Sequence, residues 1–291
     1  MSKLRTVAIL PTLFTLGNLA CGFFAIVVAA RVDKPTSAET PTAAAIQSGS
    51  PVHMVQGLLK TADPVQNCML AGWLIFLAMI FDALDGHVAR LTNVTSDFGA
   101  QLDSLCDVVT FGVAPAFLLV KICPEFTFHH SYWVWLIAAS FAACAAIRLA
   151  RFNAETHEDD DHMNFSGLPS PAAAASIASF AILFYTLRRE DNQLVYAKSI
   201  DDAIQMILPW FAVLVAAAMV SRVPYPHIVN QLLKGQRSFG HLVSLIFAIL
   251  AVMVVRGYAI PIVCVGFVLS GPVLYLWQEA VERRPHKEPM F

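Results

Sequence analysis

Charge is scarce in this chain, and neither sign dominates. Charged residues fill only 14% of the 291 positions, and the formal net charge is −2. A soluble globular domain carries about 25% charged residues, so an ordinary water-facing surface is excluded. Without a basic excess there is no electrostatic footprint for nucleic acid, and none is expected as a partner. The nine His are scattered. The six Cys (Cys21, Cys68, Cys106, Cys123, Cys144 and Cys264) lack CxxC or zinc-type spacing. They read as small apolar residues inside membrane helices. Internal repeats are missing. The first apolar run is long enough to span, and no small-residue cleavage site clearly ends it, so no cleavable signal peptide is expected.

What the chain has in quantity is apolar residues, 57% of the total, with a mean hydropathy of +0.62. They gather in runs of the length that crosses a bilayer, about 20 residues. In lipid the backbone must satisfy its own hydrogen bonds, so such runs are helices. The expectation is an all-α polytopic bundle, a single integral membrane domain over 1–291. Eight spans are expected near 12–31, 67–91, 98–121, 132–150, 170–187, 203–221, 240–256 and 259–279. An even number puts both termini on one side, which then holds 11 Lys and Arg against 8 on the other. That bias favours cytoplasmic termini. The stretch 32–66, rich in Ala, Ser, Thr and Pro, reads as an extramembrane insertion. The string from His157 to His162 reads as a solvated loop and Val223–Pro226 as a turn.

One segment breaks the apolar pattern informatively. Asp82, Asp85, Asp103 and Asp107 lie at or inside the ends of two apolar helices. An acidic residue at the centre of a span costs roughly 2.5–3.5 kcal/mol, so four of them require water or cations. Asp82, Asp85, Gly86 and Ala89 share one helix face at i, i+3, i+4 and i+7. Gly99, Asp103 and Asp107 share one face of the next helix, with Ser96 able to cap it. As antiparallel neighbours, the two faces would bring four carboxylates around one point. Hard oxygen ligands of this kind suit Mg²⁺ or Mn²⁺. The small residues either allow close helix packing or leave room for a ligand. Arg90, at the helix end, either meets a phosphate or snorkels to the interface.

The string Asp82, Asp85, Gly86, Ala89, Arg90, Gly99, Asp103 and Asp107, at these spacings over 82–107, resembles the signature of the CDP-alcohol phosphotransferase family. Four stretches are similar to its bacterial phosphatidylserine synthase branch. These are LPTLFTLGNLACGFFAI from Leu10, LTNVTSDFGAQLDSLCDVVTFGVAPA from Leu91, RLARFN from Arg148 and GLPSPAAAA from Gly167. The chain departs from that pattern at Thr12, at His87 and in the length of the 32–66 insertion.

The resemblance implies transfer of a phosphatidyl group from CDP-diacylglycerol to L-serine, with release of CMP, at a bacterial inner (cell) membrane site facing the cytoplasm. It implies two Mg²⁺ or Mn²⁺ ions held by Asp82, Asp85, Asp103 and Asp107, with Asp107 also the general base. CDP-diacylglycerol would meet Gly86, Ala89, Arg90 and Gly99. Thr15 and Asn18 would contact the nucleotide or serve helix packing. Arg148 and Arg151, three apart on one helix face, would hold a lipid phosphate, the serine carboxylate, or only the membrane surface. Ser170 would cap the helix that Pro171 opens. Membrane lipid is a partner in any case, and a homodimer is compatible with the pattern. Two other readings are glycerol 3-phosphate, inositol phosphate or choline as the acceptor, and an ion-coupled transporter whose buried carboxylates mark a cation path.

Overall fold

The computed structural model describes residues 2–31, 64–92, 97–155, 167–188, 196–221, 223, 225 and 256–282. Within them the chain is helical. The elements are α1 (Ser2–Ala30), α2 (Pro64–Thr92), α3 (Asp97–Asp107), a π-helical turn (Val108–Val113), α4 (Ala114–Ile122) and the short α5 (Pro124–His129). They continue with α6 (Ser131–Glu155), α7 (Ser170–Arg188), α8 (Ala197–Val220), a 3-10 turn (Arg256–Tyr258) and α9 (Ala259–Glu282).

Among the described residues six stretches are long and apolar enough to span: Pro11–Ala30, Pro64–Val88, Phe98–Ile122, Ser131–Ala154, Ser170–Arg188 and Ala197–Val220. They match the first six expected spans. The expected span near 240–256 lies almost wholly outside the described residues, which resume at Arg256. The last expected span is present as α9, whose apolar part, Ala259–Tyr275, is shorter than the other six. Of the expected insertion, residues 32–63 lie outside the described residues, whereas 64–66 already belong to α2. The His157–His162 string and Ser96 also lie outside them. This is an integral membrane protein built as a helical bundle.

The core is apolar and rich in small residues. In α7, Ala173, Ala174, Ala178 and Ala181 are fully buried, and α7 packs against α2, α4, α8 and α9. Small side chains let backbones approach, which is how helices associate where lipid removes the hydrophobic drive. Two glycines bring helix backbones close together. A Cβ on Gly22 of α1 would come within 2.8 Å of the Thr110 Cα in the π-helical turn. A Cβ on Gly72 of α2 would stand 2.8 Å from the Ala178 carbonyl oxygen of α7. None of the six Cys forms a disulfide; Cys21, Cys68, Cys106 and Cys123 are buried and the other two half-buried, in keeping with their expected role as small apolar residues.

Gly72 lies outside the acidic pattern and nothing in the sequence marks it, yet it sets the distance between α2 and α7. Gly72→Leu should therefore lower stability by about 1–3 kcal/mol, the usual cost of overpacking. Gly266→Leu, where a Cβ would meet nothing within 4 Å, should leave stability near wild type. Thermal unfolding of both variants in detergent micelles checks this. Equal melting temperatures would show that α2 and α7 do not need the glycine.

Candidate functional site

The site forms where the C-terminal end of α2 meets the start of α3. In α2, Asp82 and Asp85 stand one turn apart, and Asp103 of α3 comes opposite them. One carboxylate oxygen from each lies within 4.8 Å of the others. At that separation two unit charges repel by about 3–4 kcal/mol at an effective dielectric of 20. The crowding is relieved only in part by the chain. Asp85, which is buried, has the Thr15 hydroxyl and the Gly86 N–H within hydrogen-bonding reach. Its Oδ2 is nevertheless sealed without a partner, as is Oδ1 of Asp103. Three hard oxygen donors with two orphaned atoms fit a divalent cation of the Mg²⁺ class.

Asp107 is set apart. Sequence spacing suggested four carboxylates around one point, but only three share it, and Asp107 is not among them. It lies one turn beyond Asp103, about 6 Å further along the axis. It also answers to a different helix: the Asn18 side-chain N–H of α1 donates to Asp107 Oδ1 at 2.9 Å, with both residues buried. Asp82 and Asp103 remain within Coulombic reach of it. Counted from Phe98, where the span begins, Asp107 is about 14 Å deep along the helix, against about 8 Å for Asp103.

The small residues divide. A Cβ on Gly86 would meet no heavy atom within 4 Å, so among the described residues its smallness serves no close backbone contact. Gly99 is half-buried on α3. Ala89 and Arg90 belong to the last turn of α2, and their side chains fall outside the described residues.

Thr15 and Asn18 both face the acidic helices. The Thr15 hydroxyl lies 3.1 Å from the Pro11 carbonyl as well as near Asp85, and its single proton serves one at a time. Arg148 of α6 donates to the Ser170 hydroxyl at 3.0 Å and is within Coulombic reach of Asp107, while its Nε is buried without an acceptor. Arg151 turns the other way and donates to the Val220 carbonyl at 3.0 Å, closing the C-terminal end of α8. Ser170 is the first residue of α7, but the first helical bond runs from the Ala173 N–H to the Pro169 carbonyl. Its hydroxyl serves Arg148. Two links were not anticipated. Asn153 donates to the Ser104 hydroxyl at 2.8 Å, tying α6 to α3. Thr110 donates to the Asn18 carbonyl at 3.3 Å. The available signal for Thr110 was a polar side chain inside an otherwise apolar run.

A family profile described as CDP-alcohol phosphatidyltransferase matches residues 8–218, which contain the whole site. The chain belongs to the CDP-alcohol phosphatidyltransferase family. Within it, the chain is 38% identical over 159 residues to the CDP-diacylglycerol–serine O-phosphatidyltransferase of Helicobacter pylori strain J99, covering 55% of this chain and 61% of that one. It is 38% identical over 159 residues to the enzyme of the same name from Methanocaldococcus jannaschii, covering 55% and 65%. With the archaetidylserine synthase of Methanothermobacter thermautotrophicus it shares 34% over 158 residues, covering 53% and 57%. The chain thus spans about three fifths of the length of the first relatives it matches.

The geometry of this family site separates two kinds of carboxylate by a direct measurement. In Mn²⁺ titrations followed by electron paramagnetic resonance, Asp82→Asn and Asp103→Asn should weaken binding about tenfold or more, a loss of at least about 1.4 kcal/mol. Asp107→Asn should weaken it less than about threefold on the same scale. Wild-type affinity in the first two variants would exclude them as cation ligands.

Proposed function

We propose that this chain transfers the phosphatidyl group of CDP-diacylglycerol to L-serine, giving phosphatidylserine and CMP. The observation that carries the reading is the trio Asp82, Asp85 and Asp103, converging within 4.8 Å with two buried oxygens left unpartnered. Ionisable residues inside apolar helices are costly and mark functional sites, and this cluster suits a cation with a charged substrate. Family membership supports a CDP-linked donor, and the names borne by the relatives support serine as the acceptor.

In the proposed reaction the serine Oγ forms a bond to the β-phosphorus of CDP-diacylglycerol. The bond from that phosphorus to the bridging oxygen breaks, and the oxygen leaves with CMP. The serine hydroxyl proton passes to the carboxylate of Asp107, acting as general base. Asp82, Asp85 and Asp103, with Asp107 as a shared ligand, would hold two Mg²⁺ or Mn²⁺ ions, which supply charge neutralisation for the diphosphate and the leaving oxygen. Everything else is positioning, the main contribution a protein makes to phosphoryl-type transfer. Thr15 steadies Asp85. The open flank at Gly86, together with Gly99 and Ala89, gives the cytidine nucleotide room, and Arg90 stands at the helix end for a phosphate. Arg148, with an unpartnered Nε, is the cation for the serine carboxylate or the lipid phosphate, while Arg151 braces α8 beside it. A site near the membrane surface suits a donor with a polar head and lipid tails. The excess of basic residues, 11 against 8, and a bacterial relative support the cytoplasmic face of a bacterial inner membrane.

The deciding assay supplies purified protein with CDP-diacylglycerol, Mg²⁺ or Mn²⁺, and in turn serine, glycerol 3-phosphate, inositol phosphate or choline. CMP release should depend on serine and stop with EDTA. Release with another alcohol but not serine would overturn the acceptor, and release in fully chelated protein would overturn the metal. Gly86→Leu should fold normally, since its Cβ meets nothing, yet lose CDP binding by about tenfold or more. Unchanged CDP affinity in that variant would remove Gly86 from the nucleotide site.

A further inference from the structure

We infer that Asn18 is a positioning residue that acts through Asp107, not a contact for the nucleotide. The inference rests on the reading of Asp107 as general base given above. Asn18 is fully buried, and its amide is already committed, donating to Asp107 Oδ1 at 2.9 Å. Among the described residues the second oxygen of Asp107 has no hydrogen bond, and it is not among the sealed atoms. One oxygen is thus pinned and the other left to accept a proton. A carboxylate held this way keeps one rotamer and one direction of approach, which is what a base must offer an incoming hydroxyl.

Asn18 is itself held at its backbone. Thr110 donates to its carbonyl at 3.3 Å, and the missing side chain of Gly22, one turn on, lets α1 come down onto Thr110. Thr110 sits in the π-helical turn that starts directly after Asp107. Such turns recur at functional sites because they re-aim side chains within an otherwise regular helix. Asn18 and Asp107 are therefore fixed relative to each other from both helices. Helix packing alone does not account for Asn18. Its Oδ1 is buried with no partner, a cost that an apolar side chain of similar shape, such as Leu, would remove. The bond to Asp107 is what the amide provides in return.

The test is a double-variant cycle with serine-dependent CMP release as the readout. Asn18→Leu should lower kcat by about 10–100-fold, the scale of a misplaced catalytic group. The KM for CDP-diacylglycerol should stay within about twofold. In an Asp107→Asn background the same change should cost less than about threefold, because the group it positions has already lost its function. A raised KM with kcat retained would make Asn18 a nucleotide contact and overturn the inference. An equal loss in both backgrounds would make Asn18 purely structural and overturn it as well. Wild-type kcat in Asn18→Leu, alongside a slow Asp107→Asn, would overturn the inference alone. A fast Asp107→Asn would instead remove the general base, and the inference with it. Should Asn18→Leu fail to fold, Asn18→Ala and Asn18→Ser, which crowd nothing, give the same comparison.

Discussion

The organisation of this molecule follows from three carboxylates forced together at one end of two apolar helices. Asp82, Asp85 and Asp103 approach within 4.8 Å, a separation at which like charges repel and burial adds to the cost. Helices α2 and α3 must then meet in close register at their acidic faces. The neighbouring helix must also supply donors. Thr15 and Asn18 of α1 do so, each turned toward a different carboxylate. The two orphaned oxygens mark where the protein's own donors run out, and the proposed cations complete the balance there.

Backbone proximity makes this arrangement possible. The Gly22 contact brings α1 onto the π-helical turn, and the Gly72 contact brings α2 onto α7. Each substitutes van der Waals packing for the hydrophobic drive that a bilayer cannot supply. Because α2 is thus braced on one side by α1 and on another by α7, its acidic end cannot drift to relieve repulsion. Gly86 differs physically from both. Its smallness opens a flank and closes none, which is why the same residue type reads as packing at one position and as ligand space at another.

On the far side of the site α6 ties the frame together through polar side chains at its last turns. Arg148 reaches Ser170 on α7, Arg151 reaches the end of α8, and Asn153 reaches Ser104 on α3. Three neighbouring helices are thus fastened to one short segment of α6. The opposite end of α7 has its own polar fastening. The Arg188 Nε donates to both oxygens of Asp201 at 3.0 and 3.1 Å, and Gln205 donates to Asp201 at 2.9 Å. This lies about 27 Å along α7 from Ser170, so it fixes α7 against α8 without entering the chemistry.

The sequence by itself determined the class of the molecule and the identity of its acidic cluster. Long apolar runs in a chain poor in charge leave only membrane helices, because lipid offers the backbone no other partner. The spacing of Asp82, Asp85 and Asp103 puts them on helix faces by periodicity alone, and antiparallel neighbours can hardly avoid bringing such faces together. Tertiary structure decided what periodicity cannot encode. Asp107 shares a face with Asp103, yet its partner is Asn18, 89 residues away in the chain, and depth along the helix rather than face separates it from the trio. Arg148 and Arg151 look equivalent at i and i+3, but one turns toward Ser170 and the other toward the end of α8. Gly72 and Gly86 are the same residue on the same helix, and the presence of Ala178 and Ala181 of α7 beside the first distinguishes them. Local patterns fix which side chains share a surface; which distant helix meets that surface, and at what height, is settled by packing among all of them.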